Sequence, residues 1–170
     1  MSVGLGRNGR DLNSADRALL DSLRQQTLEV LRDVLGSAPR DVVYLDAPTY
    51  RNFGDSMIWE GAHRSLRTLG HRIRYVSDAR RFRDVDLRRA PSNATIILQG
   101  GGNLGDLWPA HEEFRRHIAR TYPSRRMILM PQTVHFGDRT GLAESLEAYR
   151  PATRLTILLR DSRSMEFATS

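Results

Sequence analysis

Residues Ala94-Thr95-Ile96-Ile97-Leu98 run without a break into Gln99-Gly100-Gly101-Gly102-Asn103-Leu104-Gly105-Asp106-Leu107-Trp108-Pro109. The first five are short, apolar and β-branched, the pattern of a strand buried on both faces. The glycines then allow either a tight turn or a close approach of backbone N–H groups to a ligand. Pro109 suits the first position of a helix, where its missing N–H would be unpaired anyway. Strand, glycine loop and helix make one unit of a parallel α/β sheet.

The same alternation extends in both directions. Asp41–Asp46 (DVVYLD), Arg72–Val76, Arg126–Met130 (RMILM) and Leu155–Leu159 (LTILL) read as four more strands. A helical stripe from Leu19 to Leu35 follows Ser14 as N-cap and stops at Gly36; a second, with Ile58, Ala62, Leu66 and Leu69, stops at Gly70. Gly141–Tyr149 forms a short helix, and another opens near Ser162. The fourth strand is expected to end at Pro131, before a polar loop Gln132–Asp138. These elements predict a Rossmann-like parallel sheet with helices on both faces. Met1–Asn13 reads as a disordered lead and 14–170 as the α/β domain. The sequence stops about two turns into its last helix, which suggests the N-terminal part of a longer protein whose second domain is absent.

Composition narrows the chemistry. The chain has 170 residues, 26 basic against 20 acidic, a formal charge of +6 and no cysteine. That excludes disulfide frameworks, thiolate metal sites and a Cys nucleophile. All the basic residues are Arg, so no Schiff-base lysine and no P-loop lysine exists. Arg-only usage fits phosphate recognition, but a GC-rich coding background, which says nothing about mechanism, is the better reading. Seven Arg and three Asp between Arg72 and Arg89 carry +4 of the charge. With only Tyr75 and Phe82 interleaved, that stretch reads as a solvated surface rather than a nucleic-acid site. No apolar run reaches the ~20 residues of a membrane span.

Ligands of open α/β sheets bind at the carboxyl ends of the strands. Four loops there depart from simple periodicity: Arg51-Asn52-Phe53-Gly54-Asp55, the glycine run through Asp106, Pro131-Gln132-Thr133-Val134-His135-Phe136, and Arg160-Asp161-Ser162. Each has a local alternative, with Asp55 a helix cap, the glycines a tight turn and His135 a packed imidazole. The glycine run is neither G-x-G-x-x-G nor a Walker A. His111-Glu112 is not H-E-x-x-H because Arg115 stands at the last position, and there is no G-x-S-x-G. No metal site is indicated.

Taken together, these loops resemble the polysaccharide pyruvyltransferases. Asn52-Phe53-Gly54-Asp55 with Ile58 and Gly61 is similar to that family's N-terminal motif. Gly100–Pro109 with His111 and Phe114-Arg115 resembles its glycine motif, Pro131-Gln132-Thr133 its P-Q-T-x-x-F segment, and Arg160-Asp161-Ser162 to Ser164 its R-[DE]-x-x-S strand end. The resemblance implies an enzyme of exopolysaccharide or cell-envelope synthesis. Such enzymes move an enolpyruvyl unit from phosphoenolpyruvate to a sugar, leaving a pyruvate ketal across two hydroxyls. It implies a two-domain, GT-B-like architecture in which the donor-binding Arg and His residues lie largely in the other domain. It implies no cofactor, with phosphoenolpyruvate as donor substrate, and a cytoplasmic protein, at most peripheral to the inner membrane surface. The implied partners are a sugar or lipid-linked oligosaccharide acceptor and a C-terminal domain or second copy, with no nucleic acid.

On this reading Asp55, Asp106 and His135 are the candidate catalytic residues, the carboxylates accepting sugar hydroxyls or serving as base and His135 donating a proton. Asn52, Gly54, Gly100, Gly101, Gly102, Asn103, Gln132, Thr133 and Arg160 are candidates for substrate binding. A GT-B-like glycosyltransferase using a nucleotide sugar, or a non-catalytic remnant, are the alternatives.

Overall fold

The computed structural model describes residues 13–169, so the expected disordered lead lies, apart from Asn13, outside the described residues. Helix α1 (Ser14–Leu35) belongs to a unit of its own, ending at Ser37. Its N-cap is Asn13 rather than Ser14, the Asn13 side chain accepting the Asp16 N–H at 2.8 Å. It ends, as the sequence predicts, at Gly36, whose φ of 88° suits glycine.

The second unit, from Ala38 onward, alternates strands and helices. In order these are β1 (Asp41–Leu45), α2 (Phe53–Thr68), β2 (Arg72–Ser77), α3 (Asp84–Arg89), β3 (Thr95–Leu98), β4 (Gly101–Gly105), α4 (Pro109–Thr121), β5 (Met127–His135), α5 (Arg139–Tyr149), β6 (Leu155–Leu159) and α6 (Ser162–Thr169). Every strand pairing is parallel. β1 lies between β2 and β3; β5 has β3 and then β4 along one side and β6 along the other. β3 and β4 are therefore one strand position filled by two segments, and the order is that of a doubly wound, Rossmann-like sheet. All four residues of β3, and all of β1 after Asp41, are buried, as a sheet covered on both faces requires. On one face Val43, Leu45, Ile96 and Leu98 share a core with Leu87 of α3 and with Phe114 and Ile118 of α4. On the other, the Trp59 ring of α2 meets Tyr44 edge-on at 4.5 Å.

Two departures from the sequence reading bear on the site. The glycine run is not all loop, because Gly101–Gly105 forms β4 against the far half of β5. Correspondingly the fourth predicted strand does not stop at Pro131 but continues to His135. Pro131 is tolerated because it sits where β5 changes partner from β3 to β4, at an irregularity in its pairing with β6. Gly105 has φ +119°, and a Cβ there would stand 1.7 Å from the His135 carbonyl oxygen, so only glycine lets the two strands meet.

The Arg-rich stretch is largely neutralised by neighbouring carboxylates. Arg72 and Arg74 pair with Asp41, Arg81 with Asp78, and Arg83 and Arg89 with Asp86. No described helix is long and apolar enough to cross a membrane.

His71, between α2 and β2, is 4% exposed, and its Nδ1 accepts the Arg40 N–H at 3.1 Å. Burial, with the nearby Arg40 charge, lowers its pKa. A base with a depressed folded pKa contributes stability above its unfolded value, about 6.5, and that stability is lost as the pH falls through the folded value. The melting temperature is thus expected to fall below about pH 6.5, and His71→Gln to flatten part of that slope. Equal acid slopes for the two proteins would show that His71 is not responsible.

Candidate active site

The carboxyl ends of β1, β2 and the β3–β4 position open into a pocket of about 590 Å³. It lies where β1 and β3 diverge to opposite sides of the sheet order, the usual ligand position in doubly wound folds. The turn after β1 contributes Asp46, Tyr50, Asn52 and Asp55, the turn after β2 Asp78 and Arg80, and the glycine motif Gly102, Asn103, Trp108 and His111.

Asp46 is the first residue beyond β1 and has φ 63°, a left-handed conformation that Asp tolerates better than most side chains. Its carboxylate, 3% exposed as a residue, receives His111 Nδ1 at 2.8 and 2.9 Å. A carboxylate can only accept, so Nδ1 carries the proton and Nε2 is left for other chemistry. Both residues line the pocket. Beneath them is Arg115, fully buried one helical turn beyond His111. Its guanidinium donates to the Asn103 carbonyl (2.8 Å), the Asn103 side chain (2.6 Å) and Asp46 (3.5 Å), and lies 3.6 Å from Glu112. Glu112 in turn accepts the hydroxyls of Ser145 and Tyr149, each at 2.7 Å, and the Gly105 N–H at 3.3 Å. Burial, then the Glu112 charge, pushes the Tyr149 phenol well above its ordinary pKa and keeps it a donor.

A second polar set stands on the α2 side. The cap of α2 is Asn52, which accepts the Gly54 and Asp55 N–H groups at 2.9 and 3.4 Å. Asp55 is consequently not the cap, and its carboxylate is available to the pocket, where it accepts the Tyr50 hydroxyl at 2.8 Å. Burial, then that bond to Asp55, raises the Tyr50 pKa, and its ring meets His111 edge-on at 5.9 Å. Tyr50 thus joins Asp55 to the Asp46–His111 pair. From below, the Tyr44 hydroxyl donates to the Gln99 side chain, which donates to the Asp55 carbonyl at 3.2 Å, and Gln132 donates to the Gln99 carbonyl at 2.7 Å. This buried chain fixes the start of α2 against the junction of β3 and β4.

Of the residues singled out from sequence, Asn52, Asp55, Gly102 and Asn103 line the pocket. Gly54 lies against the Asn52 cap, Gly101 beside Asp55 and Asn103, and Gly100 against Met130 and Pro131. Gln132 supports the pocket from within the sheet, and Thr133 accepts from Arg160 Nε at 2.8 Å while donating to Asp161 at 2.7 Å. The Thr133 hydroxyl, with Ser164, holds the Asp161 carboxyl below its usual pKa. The Arg160 guanidinium reaches to 3.0 Å from where a Cβ of Gly102 would be, at the pocket wall.

Asp106 and His135 are not brought to Asp55. The Asp106 carboxylate accepts the Gly137 N–H and secures the turn after β5, and the His135 ring is exposed while its carbonyl accepts the Asp106 N–H. Neither lines the pocket. The Asp46–His111 pair is what the residue-by-residue reading missed. Its one local signal is an Asp immediately beyond a buried strand, since the partner is 65 residues away. Among the described residues no three His, Asp or Glu side chains form a metal-binding group.

The family described as polysaccharide pyruvyl transferase matches residues 52–170. EpsO of Bacillus subtilis (strain 168), named as a pyruvyl transferase, is 32% identical over 140 residues, covering 82% of this chain and 42% of its own length. Pyruvyl transferase 1 of Schizosaccharomyces pombe is 27% identical over 135 residues, covering 76% of this chain and 34% of its own. General stress protein 30 of Bacillus subtilis is 27% identical, covering 75% of this chain and 39% of its own. The chain spans well under half the length of these relatives.

Proposed function

This chain belongs to the polysaccharide pyruvyl transferase family, and from that membership and its pocket we propose that it holds a sugar acceptor for pyruvyl transfer from phosphoenolpyruvate. The observation that carries the reading is the Asp46–His111 pair, linked through Tyr50 to Asp55 in one pocket at the switch point of the sheet. A ketal forms when two sugar hydroxyl oxygens bond to C2 of the enolpyruvyl unit and the bond from C2 to the phosphate oxygen breaks. One hydroxyl proton ends on C3, which becomes a methyl group, and the other on the departing phosphate. The reaction therefore needs a group that takes a proton from a hydroxyl and returns it. His111 Nε2 is that group here, with Asp46 holding the ring in the tautomer that leaves Nε2 free and stabilising the imidazolium. Asp55 accepts a sugar hydroxyl and orients it. Arg160, aimed by Thr133 at the pocket wall, supplies positive charge toward the anionic donor. The acceptor belongs to an exopolysaccharide or cell-envelope polymer, free or lipid-linked.

The test is phosphate release from phosphoenolpyruvate, with ketal detection by NMR, in the presence of pyranoside acceptors. It is run on the chain alone and on the chain fused to the remaining length of EpsO. Because Asn52 is the cap, Asp55→Asn is expected to leave the melting temperature nearly unchanged while lowering turnover by tens-fold. Unchanged turnover in this variant would remove Asp55 from the site. Absence of acceptor-dependent phosphate release from both proteins would overturn the reading itself.

A further inference from the structure

We propose that Trp108 is the platform on which the acceptor's pyranose ring stacks, with Tyr50 as the second aromatic wall, so that the pocket selects cyclic sugars by the C–H face of the ring. The proposal rests on the reading of this pocket as a sugar site. Trp108 is 60% exposed although it lines the pocket, and its ring stacks on no other described aromatic residue. It occupies the N-cap of α4 and makes no side-chain capping bond. Ser, Thr, Asp or Asn at that position would accept an N–H of the first turn and stabilise the helix. An indole there gives up the cap and leaves a large apolar surface in water, a local cost that is characteristic of binding sites. Pro109, at the first helical position, restricts the backbone beside it.

The surroundings fit a pyranose. One face of such a ring is a patch of C–H groups, and its edge carries hydroxyls, so it asks for an aromatic surface ringed by donors and acceptors. Tyr50 is 43% exposed and fixed by its bond to Asp55. Asp55, Asn103 and Arg80 supply the polar rim. An indole also offers its N–H as a donor at the edge of a flat apolar face. Stacking would set the ring plane, and the rim would set which hydroxyls face His111.

The chain has two tryptophans, Trp59 and Trp108. Trp59→Phe therefore leaves Trp108 as the sole indole emitter. Titrating this variant with methyl β-D-galactopyranoside or methyl α-D-mannopyranoside, without phosphoenolpyruvate, is expected to shift or quench the emission saturably, whereas galactitol and mannitol leave it unchanged. In calorimetric titrations Trp108→Ala is expected to bind the same glycosides at least tenfold more weakly, and Trp108→Phe to keep most of the affinity. Its exposure predicts melting temperatures near that of the parent for both variants. An emission response as strong with the acyclic polyols would overturn the proposal, as would unaltered glycoside affinity in Trp108→Ala. Unaltered acceptor KM in that variant, with transfer intact, would overturn the platform while leaving pyruvyl transfer standing. Glycoside binding through Trp108 with no phosphate release would support the platform and count against pyruvyl transfer instead.

Discussion

If His111 is the acid–base group of the proposed pyruvyl transfer, replacing it by Gln is expected to lower the rate of that transfer by about 10²–10⁴-fold, the usual contribution of a positioned acid–base group. Gln retains a donor that can reach Asp46, so the fold need not respond, and the imidazole is 21% exposed rather than deeply buried. What is lost is the ability to take up and release a proton at Nε2. The measurement pairs initial rates of acceptor-dependent phosphate release with thermal unfolding. Collapsed turnover with a nearly unchanged melting temperature supports the assignment. A loss below about threefold, far short of a general acid–base contribution, would show that proton transfer is carried elsewhere. Asp46→Asn gives a weaker test because Asp46 also faces the Arg115 guanidinium, so stability and catalysis would change together.

Arg115→Met is expected to destabilise the domain by about 3–5 kcal/mol, among the largest effects of any single change here. The guanidinium is fully buried between Asp46 and Glu112, which are 3% and 2% exposed. Removing it takes the buried guanidinium from between two buried carboxylates, leaving Asp46 with His111 and Glu112 with its hydroxyl donors. It also leaves both Asn103 acceptors unpaired, and the apolar contacts of Met can offset none of these losses. Arg115→Lys should restore little, because one ammonium group cannot reproduce the two-pronged contact with the Asn103 carbonyl and side chain. Urea unfolding followed by circular dichroism reads the effect directly. A loss under about 1 kcal/mol would mean that water reaches these carboxylates and that the network is not closed.

The reach of the sequence can be judged from particular elements. The runs Val42–Leu45, Thr95–Leu98 and Met127–Met130 are strands because continuous apolar stretches suit a sheet covered on both faces, and Leu155–Leu159 follows the same apolar pattern as the partly exposed strand at the edge. Gly36 ends α1 and Gly70 follows α2 because positive φ is cheap there only for glycine. The pocket-facing loops after β1 and β3 were legible from residue type, with Asn52, Asp55, Gly102 and Asn103 reaching the same cavity. Asp106 and His135 were equally prominent in type, yet they meet each other across the neighbouring ends of β4 and β5, where Asp106 holds the turn after β5. Nothing in their local sequence distinguishes a pocket-facing carboxylate from one that secures a loop.

Local propensity and periodicity, which act over a few residues, thus determined the strands, most of the helices and the family motifs. Tertiary structure decided the rest. Pairing with β5 drew glycine-rich residues, poor strand formers in isolation, into β4, because ladder hydrogen bonds and close approach to His135 outweigh their weak intrinsic preference. It also decided that α4 would bring His111 and Arg115, one turn apart, to Asp46 at the end of β1, some 65 residues earlier. A buried carboxylate requires partners, and only the assembled sheet determines which side chains are near enough to provide them.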